Sequence, residues 1–279
     1  MAEVSGTLAR IGSTGVLPVG HRERSLPFSY YDHTRTVVGY SVAYLEPVVD
    51  AITRRLGLAQ LTVQMVPVTP QTLAARIQSG EVAIECGTTA NTVAAAGQVA
   101  FSTTVFLARP RLLTRRGSDV DDWSDLRGQS VVAVAGTSAE QLLARMNDEK
   151  PMGMTLVAAK DTAQALQALE AGRVVAYADD DAVLDGQRLR AKSPANWMVT
   201  GTPKAADHLA FALPPGDPEF KRLVDGAIAA AQTGGLAAKI HARWFEQPVP
   251  PKGISLNQPL GDDLAALFAA PNDRRPAAG

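Results

Sequence analysis

The sequence predicts an α/β protein, and three observations support that fold class. Short apolar runs rich in β-branched residues alternate with longer helical stretches along the chain. The 279 residues, of which 46% are hydrophobic, are enough for one large or two medium cores, and the length favours two. No repeat or low-complexity linker interrupts the alternation. Two lobes would therefore have to be joined by strands that cross directly between them.

The apolar runs give the predicted strands, and the longer stretches between them give the predicted helices. The strands are Val16–Gly20, Leu61–Pro67, Val82–Cys86, Arg111–Thr114, Ser130–Ala135, Thr155–Ala158, Val174–Ala178 and Leu209–Leu213. The helices are Leu45–Leu56, Pro70–Ser79, Ala139–Asp148, Ala163–Ala171, Pro218–Thr233 and Leu236–Trp244. The proline-rich chain after Phe245 predicts an extended segment that ends in one short helix, Asp262–Phe268.

Several predicted helices have end signals of the expected type. Glycine follows four of them, at Gly57, Gly80, Gly172 and Gly234. Residues 137–140, Thr-Ser-Ala-Glu, directly follow an apolar strand and have the spacing of a capping box.

Charge and composition argue against several classes of function. A net charge of −1 with scattered basic residues does not suit a nucleic-acid binder. No apolar run approaches the roughly 20 residues that span a bilayer. Residues 1–12 lack the charged-then-apolar pattern of a signal peptide, so an exported protein would have this sequence in its mature form. The single cysteine, Cys86, cannot form an internal disulfide and suits a small buried apolar position.

The sequence contains no motif of a common catalytic or cofactor site. It has no phosphate-binding Gly-Lys-Ser/Thr loop, no dinucleotide glycine fingerprint, no paired cysteine ligands and no Gly-x-Ser-x-Gly elbow. The four histidines are far apart in sequence. The acidic run 179–181 follows a strand, and it is either a solvated loop or helix cap, or part of a binding site. Metal binding is the weaker interpretation, because adjacent aspartates at a strand end point in different directions.

A collinear series of segments resembles the periplasmic glutamate/aspartate-binding proteins, which are solute-binding proteins of ABC transporters of the polar amino-acid class. The segments are residues 20–32, 38–41, 85–89, 100–102, 112–114, 125–128, 136–138, 159–161, 169–173, 180–182, 244–245, 250–252 and 271–273. Each match is weak alone, but together they cover essentially the whole chain.

The resemblance implies a type II periplasmic binding fold, a venus flytrap with two hinge-crossing strands. Lobe one would comprise residues 1–108 and 209–279, and lobe two residues 109–208. The protein would be a monomeric periplasmic subunit that binds a small solute between its lobes and delivers it to an inner-membrane ABC permease. It would be neither an enzyme nor a nucleic-acid binder, and it would need no cofactor or metal.

The resemblance also implies a set of ligand-binding residues. In the family, the ammonium of the ligand meets a lobe-two aspartate, which here is Asp180. The carboxylate meets an arginine and backbone amides, including those at a helix N-terminus, where unpaired N–H groups favour an anion. The matching positions for these amides are Thr88, Ala90, Thr137 and Ser138. Arg22 matches the lobe-one arginine that the acidic-amino-acid branch directs at the side-chain carboxylate of the ligand.

Other positions depart from the family pattern. Ala95 stands where the family has its carboxylate-clamping arginine, and Pro70 and Leu73 replace a serine and a second arginine. Thr162 replaces a histidine, whereas Arg24 stands where relatives have a small serine. Removing one partner of a buried charge pair costs roughly 2–5 kcal/mol, so tight binding of glutamate or aspartate in the family pose is not expected. The altered pocket is either specialised for another solute or decayed.

A ligand with at least one anionic group is favoured by Arg22, Arg24 and the lobe-two helix end. That this ligand also carries an amine is implied by Asp180 alone. Two alternatives remain open at the level of the sequence. In the first, the protein is a ligand-sensing domain that reports to a membrane receptor. In the second, it is a small dehydratase built on the same fold.

Overall fold

A computed structural model describes residues 6–251 and 253–275. Residues 1–5 and 276–279 of the predicted lobe one, and Lys252 of the resembling segment 250–252, lie outside the described residues. The strands are β1 Val16–His21, β2 Arg24–Ser25, β3 Ser29–Tyr31, β4 Val37–Val38, β5 Thr62–Pro67, β6 Ile84–Glu85, β7 Ala100–Ala108, β8 Pro110–Arg115, β9 Ser130–Val134, β10 Thr155–Ala159, β11 Ala176–Asp180, β12 Trp197–Thr200 and β13 Asp207–Leu213.

The helices of the described residues alternate with these strands. They are α1 Gly6–Thr14, α2 Tyr40–Ala43, α3 Leu45–Leu56, α4 Pro70–Gln78, α5 Val93–Ala96, α6 Ser138–Glu149, α7 Thr162–Glu170, α8 Asp181–Arg190, α9 Pro218–Thr233, α10 Leu236–His241 and α11 Asp262–Ala269. A π-helical turn, Ala242–Glu246, continues α10.

Two five-stranded sheets form the two lobes. The sheet of lobe one has the strand order β5-β1-β6-β13-β7, and the sheet of lobe two has the order β10-β9-β11-β8-β12. The chain passes from β7 to β8 through Arg109 and returns from β12 to β13 through residues 201–206. The α/β fold with two crossing connections, predicted from the sequence, is therefore confirmed.

Each lobe has its own apolar core, and one helix belongs to both. The core of lobe one packs the aromatic rings of Phe28, Tyr40, Phe106 and Phe245 edge-to-face and stacked. The first turn of α8, which follows the lobe-two strand β11, buries Ala182 and Val183 in that same cluster. The start of α8 therefore lies where the lobes meet.

Helices α3 and α9 have the bounds that the sequence predicts, and most other predicted elements differ by one or two residues. The predicted strand Val174–Ala178 is wrong by two residues, because β11 runs on to Asp180 and pairs there with Pro110 of β8. The predicted strand Val82–Cys86 shortens to β6. The predicted stop signal at Gly234 is confirmed as the C-cap of α9, and Gly235 after it has the left-handed backbone conformation.

Nine elements of the described residues have no counterpart among the predicted ones: α1, α2, α5, α8, β2, β3, β4, β7 and β12. Strand β7 is almost entirely buried, so its inner and outer faces do not alternate in polarity. Helix α8 begins with acidic residues that the sequence left open as a loop, a cap or part of a site. In both segments, polar residues interrupt the apolar pattern that would have indicated a strand or a helix.

Candidate ligand-binding site

A cavity of about 380 Å³ lies between the lobes and is called the cleft cavity below. Its volume falls in the range of roughly 300–1,000 Å³ that is usual for small-molecule sites. All seven candidate ligand-binding residues line it: Arg22, Arg24, Thr88, Ala90, Thr137, Ser138 and Asp180. The fold therefore brings residues from four separate parts of the sequence to one cavity.

Arg22 follows β1 and is almost completely buried on the lobe-one side. Its Nε lies 3.2 Å from Glu85 Oε1, and its Nη2 donates to Thr89 Oγ1 at 2.9 Å. Thr89 Oγ1 in turn donates to Glu85 Oε2, which closes a small network. Among the described residues, Arg22 Nη1 is buried and has no hydrogen-bond partner. This nitrogen is therefore a buried donor without a protein acceptor, in a residue that lines the cleft cavity.

The partner of Arg22, Glu85, has no role in the interpretation of the sequence. It is fully buried on β6, and burial raises the pKa of its carboxyl while the Arg22 guanidinium opposes that shift. Gly87 leaves room for this side chain, since a Cβ at Gly87 would overlap the Glu85 carboxylate. A charged residue inside the apolar run 82–86 was the available signal, because a buried charge needs a partner.

Asp179 and Asp180 end β11 and are both buried, at 8% and 5% exposure. Both line the cleft cavity, so the alternative of a solvated loop is wrong for these two residues. Asp179 Oδ1 accepts a hydrogen bond from the Asp180 N–H at 2.9 Å, and Oδ2 accepts one from the Tyr177 hydroxyl. Asp180 Oδ1 has no partner among the described residues.

The two carboxyls share an electrostatic environment with Asp207 of β13. Burial raises the pKa of Asp179 to about 6, and Asp207 adds to the shift while Arg22 opposes it. Burial also raises the pKa of Asp180 well above its ordinary value, and the charges of Asp207, Asp179 and Asp181 raise it further. A positive charge brought to this wall would favour the ionised form of both groups.

The N-terminus of α6 faces the cleft cavity from lobe two. Thr137 is its N-cap, and its Oγ1 accepts from the Glu140 N–H at 3.3 Å. The predicted capping box is only half present, because the Glu140 carboxylate accepts from the N–H of Gly136 rather than from that of Thr137. The N–H groups of Ser138 and Ala139 belong to the first turn, where a helix has no internal acceptors for them.

Ala90 lies opposite Leu209 in an isolated antiparallel bridge. The two hydrogen bonds of this bridge come from the N–H groups of Asn91, at 2.9 Å, and Ala210, at 3.1 Å. The bridge therefore does not use the N–H of Ala90. Both Ala90 and Thr88 line the cleft cavity. This placement suits the predicted role of these two positions as amide donors.

The positions that depart from the family pattern form an apolar wall on lobe one. Leu73 is buried, and it packs in one cluster with Val68 and Val99, while Ala95 packs against that cluster. Pro70 lies at the start of α4 and also lines the cavity. Hydrocarbon groups fill the part of the wall where the resemblance implies two guanidinium groups.

Direct hydrogen bonds join the lobes around the cleft cavity. Thr162 Oγ1 and Gln187 Nε2 of lobe two both donate to the backbone oxygen of Arg24, at 3.1 and 3.0 Å. Gln71 Nε2 of lobe one donates to the backbone oxygen of Ala135. The side chain of Arg24 itself is exposed. Thr162, which was predicted only as a lost histidine, therefore contributes to closure.

Among the described residues, no three His, Cys, Asp or Glu side chains are arranged so that they could hold a metal ion. No helix in the same part of the chain is long and apolar enough to cross a membrane.

The resemblance seen in the sequence is confirmed by comparison with known proteins. Residues 17–247 match the bacterial extracellular solute-binding proteins, family 3. The chain is 45% identical over 268 residues to the glutamate/aspartate import solute-binding protein of Salmonella typhimurium (strain LT2), covering 96% of this chain and 89% of that protein. It is 41% identical over 273 residues to the L-glutamate/L-aspartate-binding protein of Pseudomonas aeruginosa, covering 98% of this chain and 90% of that one.

Solved structures show the same fold at lower identity. The solute receptor for L-cysteine of Neisseria gonorrhoeae superposes with a TM-score of 0.75 at 23% identity, covering 86% of this chain and 93% of that one. This likeness confirms the type II periplasmic binding fold.

Proposed function

Because the chain belongs to the bacterial extracellular solute-binding proteins of family 3, and is thus a binding protein rather than an enzyme, we propose that it is the periplasmic solute-binding subunit of an ABC importer. It binds a small amino acid or related carboxylate in the cleft cavity. It hands this solute to an inner-membrane permease and works as a monomer. The names of its relatives, which are import solute-binding proteins for glutamate and aspartate, support the transport role.

One observation supports this function more than any other. The cleft cavity presents a buried donor from lobe one, Arg22 Nη1, and a buried acceptor from lobe two, Asp180 Oδ1, neither with a partner among the described residues. An α-amino acid carries a carboxylate, which accepts from such a donor, and an ammonium group, which donates to such an acceptor. A ligand that bridges them would hold the lobes together.

The residue roles follow from this arrangement. Asp180 binds the ammonium, while Arg22 and the first turn of α6 at Thr137 and Ser138 bind the carboxylate. Thr88 and Ala90 supply further donors, and Arg24 lies at the mouth of the cavity. We also propose the lobe division 1–108 and 209–279 against 109–208, which the positions of the two crossing connections support.

Specificity differs from that of the glutamate-binding relatives. Leu73 and Ala95 offer no guanidinium to a second carboxylate, and Pro70 has neither a hydroxyl nor an N–H donor. Glutamate and aspartate therefore bind weakly, and a solute with fewer carboxylates or a bulkier apolar part binds more tightly.

A thermal-shift screen over amino acids, dipeptides, dicarboxylates and aromatic acids tests the proposed function. A cognate solute at 100 times its dissociation constant adds about 2.7 kcal/mol of stability, which raises Tm by about 5–10 °C. The expected result is such a shift with at least one amino acid or related carboxylate. The absence of a shift with every member of the panel would contradict the proposal.

A further inference from the structure

The lobe-two wall of the cleft cavity holds more buried carboxyl groups than one ammonium group can pair with. Asp179 and Asp180 are adjacent, both line the cavity, and both are more than nine-tenths buried. Asp207 lies close enough to act on both. Each Asp179 oxygen accepts one hydrogen bond from the protein, which leaves one lone pair on each for a ligand. Buried carboxylates without a cationic partner are unfavourable, so this wall favours positive charge.

The positive charge on the opposite wall is already compensated. The guanidinium of Arg22 forms a buried ion pair with Glu85, so the two together contribute no net charge to the cavity. What Arg22 retains for a ligand is the buried Nη1, which has no hydrogen-bond partner among the described residues. Together with the amides of α6, this nitrogen suits one carboxylate.

The other basic residues that line the cavity lie at its exposed rim. Arg24 and Lys160 are both exposed, and each has an acidic neighbour in sequence, Glu23 and Asp161, that lines the same rim. Solvent and salt screen exposed charges, so these pairs contribute little to the balance inside.

From this balance we propose that the ligand is a basic amino acid, with a second cationic group in addition to its α-ammonium. The inference rests on the proposed function, because it assumes that an amino acid occupies the cleft cavity. Asp180 and Asp179 together receive the two cationic groups, and the carboxylate lies at the first turn of α6. The apolar wall around Leu73 contacts the methylene groups between the two ends of the ligand.

Calorimetry with four amino acids of the same five-carbon chain tests the inference on the unaltered protein. L-glutamate, L-glutamine, L-norvaline and L-ornithine end in a carboxylate, an amide, a methyl group and an ammonium group. We expect L-ornithine to bind at least about 30-fold more tightly than L-glutamate, since burying a like charge against these carboxylates is unfavourable. Tighter binding of L-glutamate, L-glutamine or L-norvaline than of L-ornithine would overturn this inference and leave the proposed function intact. Binding of none of the four, and of no other amino acid, would overturn both.

A matched pair of variants tests whether Asp179 recognises the second cationic group of the ligand. Asp179→Asn removes a charge from the wall, whereas Asp181→Asn removes the neighbouring charge outside the cleft cavity. Asp181 accepts backbone hydrogen bonds from Arg109 and Ala182 through one oxygen, which asparagine also provides. We expect Asp179→Asn to weaken binding of L-ornithine at least about tenfold and to change binding of L-norvaline little, with Asp181→Asn near the unaltered value for both. Equal losses for the two ligands, or for the two variants, would contradict a role of Asp179 in recognising the second cation.

Discussion

At the scale of single residues, Asp179 couples the stability of the protein to pH. Burial raises the pKa of its carboxyl from 3.8 to about 6. Because the folded state binds this proton more tightly than the unfolded state does, the contribution of Asp179 to stability is largest below about pH 4 and is lost as the pH rises to about 6. The groups that act on it are Tyr177, Asp180, Asp207 and Arg22.

The variant Asp179→Asn should not show this loss. The free energy of unfolding of the variant minus that of the unaltered protein should therefore be larger at about pH 7 than at about pH 4, by on the order of 2 kcal/mol. Urea unfolding at the two pH values measures the difference. Asp119→Asn, which changes an exposed carboxylate of lobe two, serves as the control and should differ little between them. A difference for Asp179→Asn that does not depend on pH would contradict the account.

The sequence supported most of the candidate site at this scale, but not the charge balance. Arg22 and Asp180 were predicted from their positions in the resembling segments, and both line the cleft cavity. Glu85 and Asp179 were not, because pairing and burial depend on which side chains meet in space. A strand that ends two residues later than predicted changes an exposed carboxylate into a buried one.

At the scale of elements, the first turn of α6 has a structural role and, in the proposed function, a binding role. Thr137 caps the helix from the rim of the cleft cavity, and the N–H groups beside it face the ligand site. The loss of a threonine cap typically costs about 1 kcal/mol.

The variant Thr137→Ala should therefore lower Tm by about 2–4 °C and weaken binding of the amino-acid ligand, because the first turn loses its fixed geometry. Thr137→Ser retains the hydroxyl acceptor and should behave as the unaltered protein in both measurements. Differential scanning calorimetry and titration calorimetry provide the two readings. A loss of stability without any loss of affinity would remove α6 from the binding site.

Helices with strong end signals and regular apolar spacing were the most predictable elements. Helix α9 is the best example, since Pro218 begins it and glycines follow it. By contrast, β7 is stabilised by its pairing in the lobe-one sheet, and α8 by packing where the two lobes meet. Their burial results from tertiary packing, which local patterns do not specify.

At the scale of the whole molecule, the two lobes are in contact on both sides of the cleft cavity. The backbone oxygen of Arg24 accepts two hydrogen bonds from lobe two, and Gln71 reaches Ala135 from lobe one. Gly186 of α8 packs so closely on the Leu26 carbonyl that no Cβ would fit. Arg22 of lobe one and Asp180 of lobe two line one cavity in this arrangement, so a ligand that contacts both, as proposed, would shift the population towards it.

Small-angle X-ray scattering tests the central claim, that the two lobes close on a small solute, most directly. The protein is measured alone and with a saturating concentration of the solute that gives the largest thermal shift. Asp180→Asn at the same solute concentration is the control. The account predicts a smaller radius of gyration for the unaltered protein with solute, and no such decrease for the variant. A radius of gyration that the solute leaves unchanged in the unaltered protein would contradict closure.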